Sequence, residues 1–203
     1  MAKGRKVHRQ LELPKLDKND QHRGGKRTGA GRPPKGSRSS QPHKKRPRIG
    51  PRHVIHVTLR VADDVAQLRK RDAYHAIRNA MVTSWAKNAE TARFHIVHVS
   101  IQHGHIHLLV EADNQHVLAR GVQGFEIAAA KELNRAASKR LGKRRKGKVF
   151  PDRYHAEVIT KPTQANRALS YVLNNWRKHR EDRGPVERTW VIDPFSSASN
   201  FPG

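Results

Sequence analysis

The pattern of hydrophobic and polar positions becomes strand-like at residue 53. Residues 53–60 are rich in β-branched side chains and alternate between apolar and polar positions, which predicts a strand. Residues 94–101 and 104–110 show the same pattern on either side of a tight connection, which predicts a hairpin. Residues 149–150 and 153–160 indicate a fourth strand.

Three further segments predict helices. Residues 63–87 begin with acidic side chains, which suit a helix N-terminus, and then repeat large residues at three- or four-residue steps. That stripe consists of Tyr74, Ile77, Met81 and Trp85. Residues 114–141 carry a face of small and apolar side chains. Residues 163–180 follow Pro162, and Thr163 is the expected N-cap.

The order of these elements predicts the fold. The first six run strand, helix, strand, strand, helix, strand, which is the βαββαβ pattern of the ferredoxin-like fold. This is an α+β architecture in which helices cover one face of an antiparallel sheet. We therefore expect a ferredoxin-like sheet with one additional C-terminal helix.

Composition divides the chain into three regions. Residues 1–50 hold 16 Lys and Arg against 3 acidic residues and no aromatic residue, which predicts a disordered basic arm. Residues 51–182 carry the predicted elements and form the expected domain. Residues 183–203 contain Pro, Gly and Ser and predict a loosely ordered tail, although residues 190–192 are apolar enough to pack back.

Charge and residue usage narrow the function. The net charge of +25 and the pI near 11.4 favour nucleic acid as the partner, because each neutralised phosphate releases a counterion. The absence of cysteine excludes disulfides, thiolate metal sites and thiol catalysis. No apolar run approaches the roughly 20 residues that cross a bilayer. We expect a cytoplasmic protein that associates with the nucleoid through its charge and not with membranes.

A pair of histidines on the third predicted strand is a candidate metal site. His105 and His107 are two residues apart, so alternation directs both imidazoles to the same face of the sheet. Neutral imidazole is a good ligand for divalent metals. The alternative is that these are surface or nucleic-acid-contacting residues, since the chain has 14 histidines and close pairs arise by chance.

A tyrosine and an asparagine share one face of the last predicted helix. Tyr171 and Asn175 are four residues apart, which makes them neighbours on the helix surface. The Tyr171 hydroxyl can act as a nucleophile, and the Asn175 amide oxygen can complete a metal shell. The alternative for Tyr171 is a packing residue whose hydroxyl reaches the rim of the core.

Several basic residues are candidates for DNA binding. Arg153 precedes the last helix, and Arg177 and Lys178 follow Tyr171 within two turns. A separate stripe at four-residue steps lies on the second helix and consists of Lys131, Arg135 and Lys139. A guanidinium can hold a phosphate through two hydrogen bonds. The alternative for these residues is a solvated basic face.

Three sequence blocks together resemble the REP-associated tyrosine transposases, which belong to the single-tyrosine HUH endonucleases. The His-Ile-His-Leu-Leu run at 105–109 resembles the family's HUH strand. Residues 147–154 resemble its block ending in Arg-Tyr, and residues 171–175 resemble its Tyr-Ile-x-x-Asn helix. The resemblance covers residues 51–181. It departs at His103-Gly104, where the family has Pro-Asn, and at Trp176, where it has Pro.

The resemblance implies an enzyme that cleaves single-stranded DNA, in palindromes or hairpins, and joins strands. Tyr171 would be the nucleophile and would form a 5′-phosphotyrosine intermediate. His105, His107 and Asn175 would hold Mg²⁺ or Mn²⁺. A homodimer is also expected as a possible active form.

Two other readings remain open. A non-catalytic basic protein that descends from a transposase would need only the charge and the sheet. A replication initiator or conjugative relaxase would use the same chemistry, but 203 residues leave no room for a helicase domain.

Overall fold

The structure is a computed structural model that describes residues 48–50, 53–88 and 93–200. These residues lie in one unit, Ser40–Gly203. Nearly all of the basic arm expected at residues 1–50 lies outside the described residues. Within the described ranges, no helix is long and apolar enough to cross a bilayer.

Four strands form one antiparallel sheet. They are β1 (Val54–Arg60), β2 (Phe94–Ile101), β3 (His105–Ala112) and β4 (His155–Ile159). Their order across the sheet is β2-β3-β1-β4, and every neighbouring pair is antiparallel. This order and the βαββαβ sequence of elements confirm the predicted ferredoxin-like fold.

Three helices cover the sheet on its two faces. They are α1 (Arg71–Asn88), α2 (Gln115–Leu141) and α3 (Pro162–Lys178). The main core joins α1 and α2 to alternate residues of β3, among them Ile106 and Leu108. A second, smaller core joins α3 to the residues of opposite parity, with Leu109, Ile159 and Val172 at its centre. Of the three helices in the described ranges, α3 therefore lies on the sheet face opposite α1 and α2.

The first helix begins eight residues later than the sequence predicts. Residues 61–70 form turns whose Val65 and Leu68 side chains are buried. The Leu68 amide donates to the His103 carbonyl at 3.0 Å, so tertiary bonding competes with the helix. Asp64 pairs with Arg145 and does not cap α1. The predicted stripe is also displaced, because Trp85 is 69% exposed.

The other boundaries reflect local capping. α2 begins after Asn114, whose side-chain oxygen accepts hydrogen bonds from the amides of residues 116 and 117. It ends at Gly142, whose φ of 65° is readily adopted by glycine. α3 begins at Pro162, before the expected cap Thr163, because proline fits the first helical position. β4 begins at His155, so Arg153 lies in the preceding loop and not on the strand.

Residues near the C-terminus contact the sheet edge. Asp193 is buried and accepts two hydrogen bonds from the Arg69 guanidinium, at 2.9 and 3.0 Å. Ser196 pairs with Ser100 of β2, and Trp190 packs on Trp176 of α3 with ring centroids 6.3 Å apart. Trp176, the departure from the family pattern, is thus a buried packing residue that joins α3 to this segment.

Candidate functional site

Strand register gathers polar side chains on the sheet face beneath α3. His107 lies opposite Thr58 of β1, and Thr58 lies opposite His155 of β4. His105 lies opposite Arg60. Because cross-strand partners point to the same face, these side chains surround the histidine pair.

The two histidines of β3 lie side by side, as alternation predicts. The ring centroids of His105 and His107 are 4.8 Å apart, and His107 is only 4% exposed. Its Nδ1 atom lies 3.0 Å from His56 Nε2 and 3.2 Å from Thr58 Oγ1. Its Nε2 atom is buried and has no hydrogen-bond partner among the described residues. One edge of the ring is therefore held by β1, and the other edge presents a nitrogen to the space beneath α3.

The α3 helix directs three side chains towards these histidines. Tyr171, Asn175 and His179 follow at four-residue intervals, which places them on one helix face. The Tyr171 ring centroid lies 5.6 Å from that of His107, and the His179 centroid lies 4.6 Å from that of His105. Asn175, four residues after Tyr171 and four before His179, is 1% exposed. Both of its side-chain polar atoms are buried without a hydrogen-bond partner in the described part of the chain.

Two members of this cluster were not predicted from the sequence. His179 continues the Tyr171–Asn175 face by one turn, so helical periodicity contains the signal that would identify it. His56 stacks on His107 with ring centroids 5.1 Å apart, and its ring centroid is 5.8 Å from that of Tyr171. Its place depends on the β1–β3 register, which the sequence pattern alone does not specify.

Burial lowers the pKa of each imidazole in the cluster. Desolvation, followed by the nearby His105 and His56, lowers the pKa of His107 to about 2. Desolvation, followed by His179, lowers the pKa of His105 to about 4. Desolvation also lowers the pKa values of His56 and His179. The rings are thus neutral at pH 7, which is the form that binds metals.

The donor atoms of the cluster fit a divalent metal ion. One nitrogen from each of His105, His107 and His179 lies within 4.8 Å of the others. At a metal–nitrogen distance of about 2.1 Å, two ligands on opposite sides of an ion are about 4.2 Å apart, so small side-chain movements close the site. A bound cation would also satisfy the buried His107 Nε2 and Asn175 Oδ1 atoms.

The basic candidates separate into two groups. Lys178 belongs to the site, because its Nζ lies 4.8 Å from the centroid of the Tyr171 ring. Arg177 points towards the C-terminal segment, where it donates to the Val191 carbonyl at 3.4 Å and lies over Trp176. Arg153 is exposed in the loop before β4.

The stripe on α2 does not join the site. Lys131, Arg135 and Lys139 are exposed on α2, which packs on the opposite face of the sheet from α3. Arg135 also pairs with Glu132 at 2.9 Å. This stripe and the histidine cluster therefore lie on opposite sides of the sheet.

Tyr171 borders two open grooves. One groove of about 580 Å³ runs between α3 and β4 and includes His56, Glu157 and Arg167. The other, of about 540 Å³, follows the outer side of α3 past Asn174 and Lys178. An extended polymer can therefore approach the tyrosine ring along the surface from either side.

Solved structures with a similar fold include transposases. A REP-associated tyrosine transposase bound to a REP hairpin matches with a TM-score of 0.54 and 15% identity, over 79% of this chain and 84% of the other. A crystal structure of a protein from Deinococcus radiodurans that is described as a transposase matches with a TM-score of 0.42 and 15% identity, over 65% of this chain and 95% of the other. No curated protein sequence is similar enough to count as a match. The first likeness shows that the fold is one that tyrosine transposases adopt.

The sequence itself matches a family model of the same class. The family model described as IS200-like transposase matches residues 55–175, which extend from β1 to the last turn of α3. The chain belongs to the IS200-like transposase family. It is therefore a DNA-processing enzyme in the general sense that this family defines.

Proposed function

We propose that this protein cleaves single-stranded DNA and transfers the strand through a covalent bond to Tyr171. The observation that carries the proposal is the position of the Tyr171 ring, 5.6 Å from His107, whose Nε2 is buried and unpaired among the described residues. A nucleophile and a set of metal-ligating atoms thus share one open surface.

The reaction exchanges one phosphate ester for another. The Tyr171 Oη attacks the scissile phosphorus, and the bond between phosphorus and the 3′ oxygen breaks. Tyr171 loses one proton and the departing 3′ oxygen gains one, which leaves a 5′-phosphotyrosine and a free 3′-OH. Attack by another 3′-OH reverses the step and joins strands, so no nucleotide hydrolysis is needed.

Each residue of the cluster has a distinct role in this scheme. His105, His107 and Asn175 would hold Mg²⁺ or Mn²⁺. A bound divalent ion supplies charge that polarises the phosphate and stabilises the leaving oxygen. The Lys178 Nζ atom, 4.8 Å from the centroid of the tyrosine ring, attracts the incoming phosphate by its charge. His56 and Thr58 hold the Nδ1 edge of the His107 ring.

The proposed substrate is single-stranded DNA beside a hairpin or palindrome. The related transposase of similar fold is bound to a REP hairpin. The two grooves beside Tyr171 suit an unpaired strand, with Lys178 and Arg167, which line them, as phosphate contacts. The α2 stripe lies on the opposite side of the sheet from α3. We assign it to binding the double-stranded DNA that flanks the cleaved strand. The proposed cleavage groups all lie in one chain, an arrangement that serves a monomer or each subunit of a homodimer.

A covalent-adduct assay tests the nucleophile. The protein is incubated with a single-stranded hairpin oligonucleotide and Mn²⁺, and the products are separated on a denaturing gel. We expect a 3′-labelled strand to become attached to protein and a 5′-labelled strand to be released with a 3′-OH. Tyr171→Phe should abolish the adduct, whereas Tyr74→Phe, at a ring that packs on Phe195, should retain it.

The same assay separates the enzyme from a binding protein. The chain has three tyrosines, so mass mapping of the adduct peptide has few possible outcomes. An adduct on another tyrosine, or one that persists in Tyr171→Phe, would refute the assignment. Tight binding of the hairpin with no adduct at any metal would instead identify a non-catalytic protein of transposase descent.

A further inference from the structure

The third imidazole of the cluster comes from the end of α3. His179 is the C-cap residue, and its backbone amide donates to the Asn175 carbonyl at 3.0 Å, so it still follows the helical turn. This turn brings its ring to 4.6 Å from that of His105. His105, His107 and His179 are the one group of three potential metal-ligating side chains identified within the described residues.

The cluster is rich in nitrogen and poor in carboxylate. Its three close donors are all imidazoles, and the remaining candidate is the neutral Asn175 amide. Glu181, two residues beyond His179, is engaged elsewhere, since its Oε1 accepts from the His103 amide at 3.0 Å and its Oε2 lies 3.6 Å from Arg69 Nε. Among the described residues, Glu181 and Glu157 act by charge on His179 and His56, but neither belongs to the group of three close donors.

Donor chemistry decides which metal such a site prefers. Mg²⁺ favours oxygen ligands and gives up its waters reluctantly. Imidazole suits the later first-row metals, whose affinity for a given site rises from Mn²⁺ through Co²⁺ and Ni²⁺. A third imidazole beside His105, His107 and the Asn175 amide therefore shifts the site away from Mg²⁺.

We propose that His179 is a metal ligand that joins His105 and His107 in a three-imidazole centre selective for later first-row divalent metals such as Co²⁺, Ni²⁺ or Zn²⁺ over Mg²⁺. The inference rests on the proposed function for the location of the ion. It goes further by assigning the ligand that determines which ion binds.

Titration of the metal-free, full-length protein with Co²⁺ tests the proposal without DNA. Binding is followed by the visible absorption of Co²⁺, with Mg²⁺ as competitor. Loss of an outer-sphere partner alone costs about 10- to 100-fold in metal affinity, so loss of a direct ligand in His179→Ala should cost at least about tenfold. His116→Ala is the matched control, because His116 is exposed at the start of α2 and should leave Co²⁺ affinity unchanged.

A second variant tests selectivity directly. His179→Asp keeps a ligand but replaces nitrogen by a carboxylate oxygen, so we expect weaker Co²⁺ binding and more effective competition by Mg²⁺. Because residue 179 is exposed at a helix end, both variants should retain the wild-type circular dichroism spectrum. His105→Ala serves as the reference for loss of the whole site.

The outcomes distinguish this inference from the proposed function. If His105→Ala abolishes the Co²⁺ signal and His179→Ala leaves it unchanged, the third ligand is refuted while the His105–His107 site stands. If the wild type binds Mg²⁺ as tightly as Co²⁺, the selectivity is refuted. If His105→Ala has no effect on Co²⁺ binding, the location of the ion is wrong and both proposals lose their metal site.

Discussion

Replacing Asn175 by leucine should stabilise the metal-free protein and destroy its response to metal. Asn175 is 1% exposed, and its Oδ1 and Nδ2 atoms lack hydrogen-bond partners among the described residues. A buried polar group without a partner costs about 1–3 kcal/mol. Leucine has a similar shape and no polar atoms. Asn175→Leu should therefore raise the free energy of unfolding by about 1–3 kcal/mol, or Tm by about 2–12 °C for a domain of this size.

The same substitution should reduce the stabilisation that a bound metal ion gives to the native state. For the unmodified chain, Mn²⁺ at 100 times its Kd should stabilise the native state by about 2.7 kcal/mol. Asn175→Leu should lose most of this gain, because a ligand is gone and the site is less polar. Both quantities are obtained from thermal unfolding followed by circular dichroism, with and without Mn²⁺.

Asn174→Leu is the control for this experiment. Asn174 is exposed on the adjacent position of α3, where its side chain donates to the Ser170 carbonyl at 3.1 Å. It should change Tm little and keep the Mn²⁺ response. A metal-free Asn175→Leu that is less stable than the parent, or one that keeps the full Mn²⁺ response, would refute the reasoning that links the buried amide to an ion.

The remaining predictions concern packing and pH. Gly121→Ala places a Cβ against the Phe94 ring at less than van der Waals distance, and such overpacking should lower the free energy of unfolding in urea by about 1–3 kcal/mol. Gly124→Ala on the same helix meets nothing within 4 Å and should stabilise by about 0.5–1 kcal/mol; equal effects of the two variants would contradict the close approach of α2 to β2. Stability should also fall as pH drops from about 6.5 towards 4. The unfolded histidines take up protons first, while burial keeps the pKa of His105 at about 4 and that of His107 at about 2. A urea midpoint that is constant between pH 7 and pH 4.5 would contradict this effect.

Local sequence signals were sufficient for most of the fold. Residues 94–101 are rich in β-branched side chains, and the predicted strand coincides with β2. Asn114 and Gly142 mark the two ends of α2 by their own backbone preferences. These elements were predictable because the determining interactions lie within a few residues of each other.

Boundaries set by distant contacts were not predictable. Residues 63–70 contain acidic and apolar positions that suit a helix, but bonding to the His103 carbonyl and burial of Leu68 hold them in turns. Trp85 satisfies the helical spacing yet is 69% exposed, whereas the small Ala76 and Ala80 are the buried positions of this helix. Tertiary packing here overrides the periodic pattern.

The same distinction applies to the candidate site, where local periodicity predicts some residues and distant contacts place the others. The pairs His105–His107 and Tyr171–Asn175 follow from the periods of a strand and a helix, and the structure brings the two pairs to one surface. His56 joins them only through strand register, and the α2 stripe is separated from them by the thickness of the sheet. Whether the four predicted residues act as nucleophile and ligands is the hypothesis that the experiments above address.

The most direct test is a crystal structure of the Tyr171→Phe chain with Mn²⁺ and a single-stranded hairpin DNA that extends across the cleavage position. Anomalous scattering locates the ion independently of the protein density. We expect one Mn²⁺ peak in contact with His105 and His107, and a DNA phosphate between that ion and the ring of residue 171. A phosphate bound away from this ring, or a Mn²⁺ peak remote from both histidines, would contradict the account.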